Sequence, residues 1–378
     1  MKKLIGTVAV AALLASAAFA ELNMGAWIRT VVAPVASNGE DILSGWTNSW
    51  GWGIRNARIG FNWTSDDEKV GMLYDIFGDG AGGFGPGDYR AGWYKPADSV
   101  KFMVGHIDNG YTMRSDLCFG SWNWIRPVNW IFDDEGLTFN LGNADALQIE
   151  IFPVEGLQIL GRLAMPADGG FQDAYKMFEQ STFAAGYTIG DIGTIKAAWN
   201  GNGDRKGDDY KYLGDVQAAF DLTGVDNLFI TVGVKVSIAE SDYKDLSDDF
   251  AFLKAAVGAS YQILDNLKVL ASFGMQTYEV ADPVFQFGVG VDVGLTDTLS
   301  LAADFRGLLA NDDAVFSFLI GLGWGFSSNG SIGIGFQGTT NGWGFNPQTD
   351  PDADPKVITP AKADAFCWAV PISFSYSF

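Results

Sequence analysis

The sequence predicts an all-β chain that closes into an antiparallel transmembrane β-barrel of about 18 strands, with 16 as the alternative. Three observations carry this expectation. Segments of alternating large apolar and small or polar residues recur along the chain. Short turns and longer loops alternate between them. Beyond the N-terminus, no segment approaches the run of about 18 uncharged apolar residues that a membrane-crossing helix needs.

The N-terminus reads as a secretory signal. Met1-Lys2-Lys3 is a short cationic stretch, Leu4 to Phe19 is apolar, and Ala18-Phe19-Ala20 fits a small-x-small cleavage site. Cleavage is expected before Glu21, so residues 1–20 are a signal peptide and residues 21–378 form the barrel. No Pro/Ser-rich linker or shift of composition divides that span.

The strands are clearest in the C-terminal half. Leu267, Val269, Ala271, Phe273 and Met275 share one face, with Lys268, Ser272, Gly274 and Gln276 opposite. Phe285, Phe287, Val289, Val291 and Val293 oppose Gln286, Gly288, Gly290 and Asp292. Leu299, Leu301, Ala303, Phe305 and Leu309 oppose Ser300, Asp304 and Arg306. Phe316, Phe318, Ile320, Leu322, Trp324 and Phe326 oppose mostly glycine and serine. Each run is about ten residues, enough for a tilted strand to cross a bilayer. Open backbone finds no hydrogen-bond partner in hydrocarbon, so strands that cross it must close.

Short connections are expected at Ser65–Glu68, Ala97–Ser99, Val154–Gly156, Gly190–Gly193, Val225–Asn227, Asp265–Asn266, Thr296–Asp297 and Ser327–Asn329. Longer ones fall near 36–52, 78–87, 107–145, 165–180, 201–213, 239–249 and 339–365, with briefer loops near 279–283 and 310–313. Leu137–Leu141 also reads as a strand. Counting it in the wall would put the termini on opposite sides, so it is assigned to the third loop or its descending strand.

The last strand alternates from Phe366 to Phe378, and the chain ends on an aromatic. It resembles the closing strand of Gram-negative outer-membrane proteins. That resemblance implies a bacterial outer-membrane, multi-pass barrel whose Phe374, Tyr376 and Phe378 are read by the barrel-assembly machinery during insertion.

Charge placement argues for a wet interior. Arg58, Arg90, Lys101, Arg162, Lys196, Lys235, Lys254, Lys268 and Arg306 are assigned to the face opposite the large apolar residues. Asp75, Glu150, Asp221, Asp292 and Asp304 are assigned there too. An Arg or Lys facing lipid at the midplane costs about 2–4 kcal/mol. These residues are therefore expected to line a pore, with a basic bias, rather than only to satisfy one another as internal salt bridges.

The third loop, residues 107–145, carries Asp108, Asp116, Asp133, Asp134 and Glu135 together with Trp122, Trp124 and Trp130. Its order and length resemble the third extracellular loop of general porins, which folds into the barrel and narrows it. The resemblance implies that Asp116, Asp133, Asp134 and Glu135 form a constriction facing Arg58, Arg90 and Lys101, and it allows a homotrimer. The chain lacks any recognisable porin loop motif.

Other signals are weaker. Trp46, Trp50, Trp52 and Trp343 could extend a sugar-stacking track, or simply belong to interfacial belts. Asp350-Pro-Asp352-Ala-Asp354 lacks the glycine and closing glutamate of a calcium loop. His106 is the sole histidine and reads as a strand-end residue near the rim, so no catalytic set can be assembled and the chain is not expected to be an enzyme. No CxxC pair exists, and nothing brings Cys118 to Cys367, so neither a metal nor a cofactor is expected. The net charge of −21 becomes −23 once Lys2 and Lys3 leave with the signal, which argues against nucleic acid as a partner. The expected partners are outer-membrane lipid and small polar solutes. The expected function is a porin for passive diffusion of ions and small hydrophilic molecules. The alternatives are a structural or adhesive surface barrel with an occluded lumen, and a selective sugar or anion channel.

Overall fold

The computed structural model describes residues 20–37, 39–47, 57–78, 84–107, 113–116, 137–165, 174–206, 210–240, 251–278, 282–310, 313–340 and 365–378. Within them the chain is almost entirely strand. The first strands are β1 (Ala20–Ser37), β2 (Ile42–Thr47), β3 (Ala57–Ser65), β4 (Val70–Gly78), β5 (Phe84–Ala97) and β6 (Val100–Ile107). A small hairpin follows, β7 (Arg114–Asp116) and β8 (Leu137–Asn140). The wall resumes with β9 (Ala144–Ile151), β10 (Leu157–Ala164), β11 (Thr182–Ile189), β12 (Gly193–Lys206), β13 (Tyr210–Val225), β14 (Leu228–Ala239) and β15 (Ala251–Leu264). It ends with β16 (Leu267–Tyr278), β17 (Val284–Gly294), β18 (Leu299–Ala310), β19 (Asp313–Ser327), β20 (Gly330–Thr339) and β21 (Cys367–Ser377). One short helix, α1 (Ala174–Glu179), lies between β10 and β11.

Each wall strand pairs antiparallel with the next, and β1 pairs with β21 from Trp27↔Ser377 to Ser37↔Trp368. The barrel is closed with 18 strands. β2 and β3 both pair with β1, β2 against Val31–Ser37 and β3 against Ala20–Ile28, so together they occupy one wall position. Leu137–Asn140 is a strand, as its pattern suggested, but it pairs with β7 and lies outside the wall. That placement keeps the wall even-numbered, with Ala20 and Ser377 both at the short-turn end.

The eight short connections fall where the sequence placed them. In the turn after β3, the Ser65 hydroxyl donates to Asp67 Oδ1 at 2.7 Å, and the Lys69 N–H donates to the same oxygen at 3.2 Å. The Ser65 bond, then the Lys69 bond, holds the exposed Asp67 carboxyl below its ordinary pKa. Asn227 takes a φ of 64° to close the Val225–Leu228 turn, a conformation Asn tolerates better than most residues.

Most of the longer loops fall where expected, but two are shorter. β5 already starts at Phe84, inside the loop expected near 78–87. β12 runs to Lys206 and β13 starts at Tyr210, where a loop over 201–213 was expected. The reason is physical. Above the apolar band both faces of a strand meet water, so side-chain alternation fades while the backbone ladder continues. The predicted signal peptide, apart from Ala20, lies outside the described residues.

The outward face is apolar. Phe273 is 45%, Val289 53%, Phe305 40% and Ile320 49% exposed, while Ser272, Arg306 and Ser317 on the alternate parity are buried. Phe305 stacks on Phe316 with centroids 5.8 Å apart, and Phe326 stacks on Phe374 at 6.0 Å. Cross-strand aromatic pairs of this kind help fix register.

The seam is closed at the C-terminus itself. The Ala26 N–H donates to the Phe378 carbonyl, and the Phe378 N–H donates to the Ala26 carbonyl, both at 2.9 Å. Deleting Ser377 and Phe378 removes this pair and leaves an unpaired edge in hydrocarbon. Folded protein in the outer membrane, scored by heat-modifiable mobility, should fall severalfold, and an undiminished yield would contradict this role for the seam.

Candidate functional site

The inner face is built from the alternate parity of every wall strand. Most bases assigned to it by sequence lie there beside acids. Arg58 Nε is 2.7 Å from Asp75 Oδ2, and Lys101 Nζ is 3.7 Å from Glu150 Oε1. Lys196 Nζ is 2.6 Å from Asp221 Oδ2, and Arg306 Nη2 is 3.1 Å from Asp304 Oδ2. Lys268 faces Asp292 directly across β16 and β17, and both line a recess of about 690 Å³ at the short-turn mouth. Lys254 lies opposite Lys235 across β14 and β15.

One acid beyond those assigned by sequence joins the set. Asp215 accepts Lys235 at 3.1 Å and the Ser237 hydroxyl at 2.6 Å. It shares parity with Gln217 and Asp221, two positions past the loop expected over 201–213. Asp145, 3.3 Å from His106, lies on the outer parity instead, in register with His106 and Arg90.

One assignment is corrected. Arg90 does not share the inner face with Arg58 and Lys101. Leu73 pairs with Ala91, and both are buried inside, whereas Arg90 pairs with Tyr74, which is 43% exposed on the outside. The stretch Tyr89–Tyr94 carries aromatics on both parities, so alternation alone could not decide which face was outer. Tyr89 is the inward neighbour, its ring 4.5 Å from the Arg58 guanidinium carbon.

The β7–β8 hairpin, from the third loop, lies inside the barrel against β10–β15. Met113, Phe139 and Leu141 pack on Leu160, Ala184, Ala198 and Ala219 of the inner wall. The small wall residues leave room for the hairpin. At Gly233 a Cβ would sit 2.2 Å from the Thr138 carbonyl oxygen, so only glycine allows this approach.

Polar contacts then fix it. The Asp221 carboxylate accepts from Lys196, from the Ser115 hydroxyl at 2.8 Å and from the Thr231 hydroxyl at 2.7 Å. Thr138 and Thr231 hydroxyls meet at 2.9 Å. Gln217 donates to the Asn140 carbonyl at 2.9 Å and accepts the Asn140 N–H at 3.1 Å. Arg162, 2% exposed, donates to the carbonyls of Leu141 at 3.1 Å and Gly142 at 3.0 Å, and to Gln148 at 3.0 Å. Arg162 therefore serves to seat the descending limb of the loop.

The loop acids are only partly placed. Asp116 is in β7, its backbone paired with Leu137. Asp133, Asp134 and Glu135 lie outside the described residues, as do Trp50, Trp52, Trp122, Trp124, Trp130, Trp343, Cys118 and the acids of 350–354. Cys367 is buried in β21. Among the described residues, no group of three or more His, Cys, Asp or Glu is arranged to hold a metal.

No family model matches the sequence, and no curated protein matches it. Solved structures do. An anion-selective porin from Comamonas acidovorans is 11% identical, with a TM-score of 0.56, covering 95% of this chain and 100% of its own. The outer membrane channel DcaP of Acinetobacter baumannii is 13% identical, with a TM-score of 0.53, covering 96% and 98%. The fold is that of an outer-membrane porin barrel. At these identities the likeness is one of architecture.

The hairpin contacts make a direct prediction. Removing one partner of a buried ion pair costs about 3–5 kcal/mol, and Asp221→Ala also strips two hydroxyl contacts. Gly233→Val forces the hairpin off the wall by overlap. In both variants, proteolytic nicking between 113 and 143 should quicken by about tenfold or more while the barrel stays heat-modifiable. An unchanged nicking rate would show that these contacts do not hold the hairpin.

Proposed function

We propose that this chain is an outer-membrane porin, through which ions and small hydrophilic solutes diffuse passively along a water-filled lumen, without chemistry or cofactor. The observation that carries the reading is the ring of ion pairs on the inner wall, from Arg58–Asp75 through Lys196–Asp221 to Arg306–Asp304. Charges of both signs around a lumen supply water and ions with polar partners at every level of the passage. Lys101, Lys235, Lys254 and Lys268, with Glu150, Asp215 and Asp292, belong to the same lining. The apolar outer face supports residence in the bilayer.

Selectivity follows from the pairing. A base matched by an acid within 4 Å presents a dipole, not a net charge, to a passing ion. The expected basic bias is therefore reduced, and Asp133, Asp134 and Glu135 offset the remainder if they follow the hairpin inward. The porin from Comamonas acidovorans is anion-selective; this chain should be near neutral or mildly cation-selective.

A second reading has one observation in its favour. Met113, Phe139 and Leu141 form an apolar core within the lumen, as a plug would. A structural or adhesive barrel with a blocked lumen would use such a core. It occupies the β10–β15 side among the described residues.

Planar-bilayer recording separates the two. The porin reading expects conductance steps that rise in proportion to bulk salt, and a small reversal potential in a salt gradient. Changing Asp133 and Asp134 to Asn and Glu135 to Gln should move that potential toward anions. Absence of steps from folded, inserted protein would overturn the porin reading in favour of the occluded barrel.

A further inference from the structure

Four inward side chains stand in one row at the loop end of the wall. Arg162 pairs with Thr182, Thr182 with Asn200, and Asn200 with Asp215, across β10, β11, β12 and β13. Directly opposed residues of antiparallel strands point to the same face. Arg162, Thr182 and Asp215 are buried, whereas the chain neighbours Phe183 and Val216 are exposed outside. The row therefore faces the lumen.

This row lines a recess of about 220 Å³. The opposite side of the recess is the descending limb of the hairpin, Leu141–Ala144, whose first two carbonyls accept from Arg162. The limb turns at Gly142, which has a φ of 69° and donates its N–H to Asn140 Oδ1 at 2.8 Å. The end of α1 supplies a third side. At Gly201 a Cβ would lie 2.1 Å from the Glu179 carbonyl oxygen, and the Gly201 N–H donates to the Ser181 carbonyl at 2.9 Å. This close approach sets Gln180 in the lining. Asn143, also in the lining, is exposed, so the recess opens to water.

The hydrogen bonds already made leave a mixed set of groups. The Thr182 hydroxyl donates to Asn200 Oδ1, so the Asn200 amide nitrogen remains a donor. Gln180 makes no side-chain hydrogen bond among the described residues, which leaves both its donor and its acceptor. Asp215 Oδ1 accepts from the Tyr212 and Ser237 hydroxyls, while among the described residues Oδ2 accepts only from Lys235, at 3.1 Å. A carboxylate oxygen has room for a second donor.

The charges in the lining oppose each other. Arg162 stands at one end of the row and Asp215 three strands away, roughly 14 Å along the backbone at about 4.8 Å per strand. A solute with a net charge is drawn by one and repelled by the other, and it gives up hydration that only one of them returns. A neutral molecule with several hydroxyls uses both, because each hydroxyl donates and accepts. The recess is smaller than the roughly 300–1,000 Å³ of pockets for drug-sized ligands, which limits the solute to a single sugar ring.

We propose that this recess binds a neutral polyhydroxylated solute of monosaccharide size, held between Arg162 and Asp215, with Asn200 and Gln180 donating to its oxygens. The inference deepens the porin reading by naming a solute class. Binding is read without current, so each can fail alone.

The test is saturation-transfer NMR on the folded barrel, in a detergent without a sugar headgroup, with D-glucose, D-galactose, D-gluconate and D-glucosamine as probes. A neutral hexose should give a saturable signal, with gluconate and glucosamine weaker by severalfold. Asn200→Ala and Gln180→Ala should each weaken hexose binding about fivefold, the loss of one or two hydrogen bonds. Gln262→Ala, at the short-turn mouth, should leave it unchanged. Gln180→Ala breaks no internal hydrogen bond and decides the matter if Asn200→Ala also loosens the hairpin. No saturable signal from either hexose, a charged probe that binds more tightly than both, or a Gln180 variant that binds hexose as the native protein does would each overturn the proposal.

Discussion

Hydrocarbon supplies no hydrogen bonds, and the rest of this structure follows from that constraint. Every backbone donor and acceptor at membrane depth must find another strand, so the sheet closes on itself where β1 meets β21. Closure divides side chains into two populations by parity. The outer one is aliphatic and aromatic. Nearly all the described charge is driven to the inner one. Once inside, it is close-set in a restricted space, and opposite signs pair across neighbouring strands.

The same economy explains the hairpin. The Asp221 carboxylate sits on the inner wall, where a single lysine does not use all its acceptor sites. Ser115 and Thr231 hydroxyls take the others. The wall beneath the hairpin is lined with Ala184, Ala198, Ala219 and Gly233, which leave a trough. Phe139 and Leu141 fill it. The inner wall thus carries an apolar seat on the β10–β15 side, a second apolar cluster of Ala91, Met103, Ile107 and Ala146, and ion pairs besides. An arrangement of this kind narrows a passage without sealing it, provided the opposite wall remains wet.

Much of this was legible in the sequence, and the exceptions have physical causes. The strands from Leu267 to Phe326 alternate so cleanly that their faces and turns could be read directly. Leu137–Leu141 also read as a strand, but its place inside the barrel depends on β7, whose three residues Arg114–Asp116 carry no periodic signal. Asp215 lies two positions past the loop expected over 201–213, at the end of its strand where an acid on either face meets water, so its inward role shows only in its contacts with Lys235 and Ser237. Arg90 was placed on the wrong face because Tyr89, Trp93 and Tyr94 put aromatics on both parities. A hydrophobic alternation reports a face only where the two faces meet different solvents. At an inner surface that holds a loop, that condition fails.

The central claim is that the third-loop hairpin is held on the inner wall of the membrane-inserted barrel. Thr138 and Thr231, whose hydroxyls meet at 2.9 Å, test it most directly. With Cys118 and Cys367 changed to Ser, Thr138→Cys and Thr231→Cys should form a disulfide in the outer membrane under mild oxidation. The account predicts near-complete bridging with single-channel conductance close to that of the reduced form. Thiols that stay free, or a bridge that changes conductance severalfold, would place the hairpin elsewhere and contradict it.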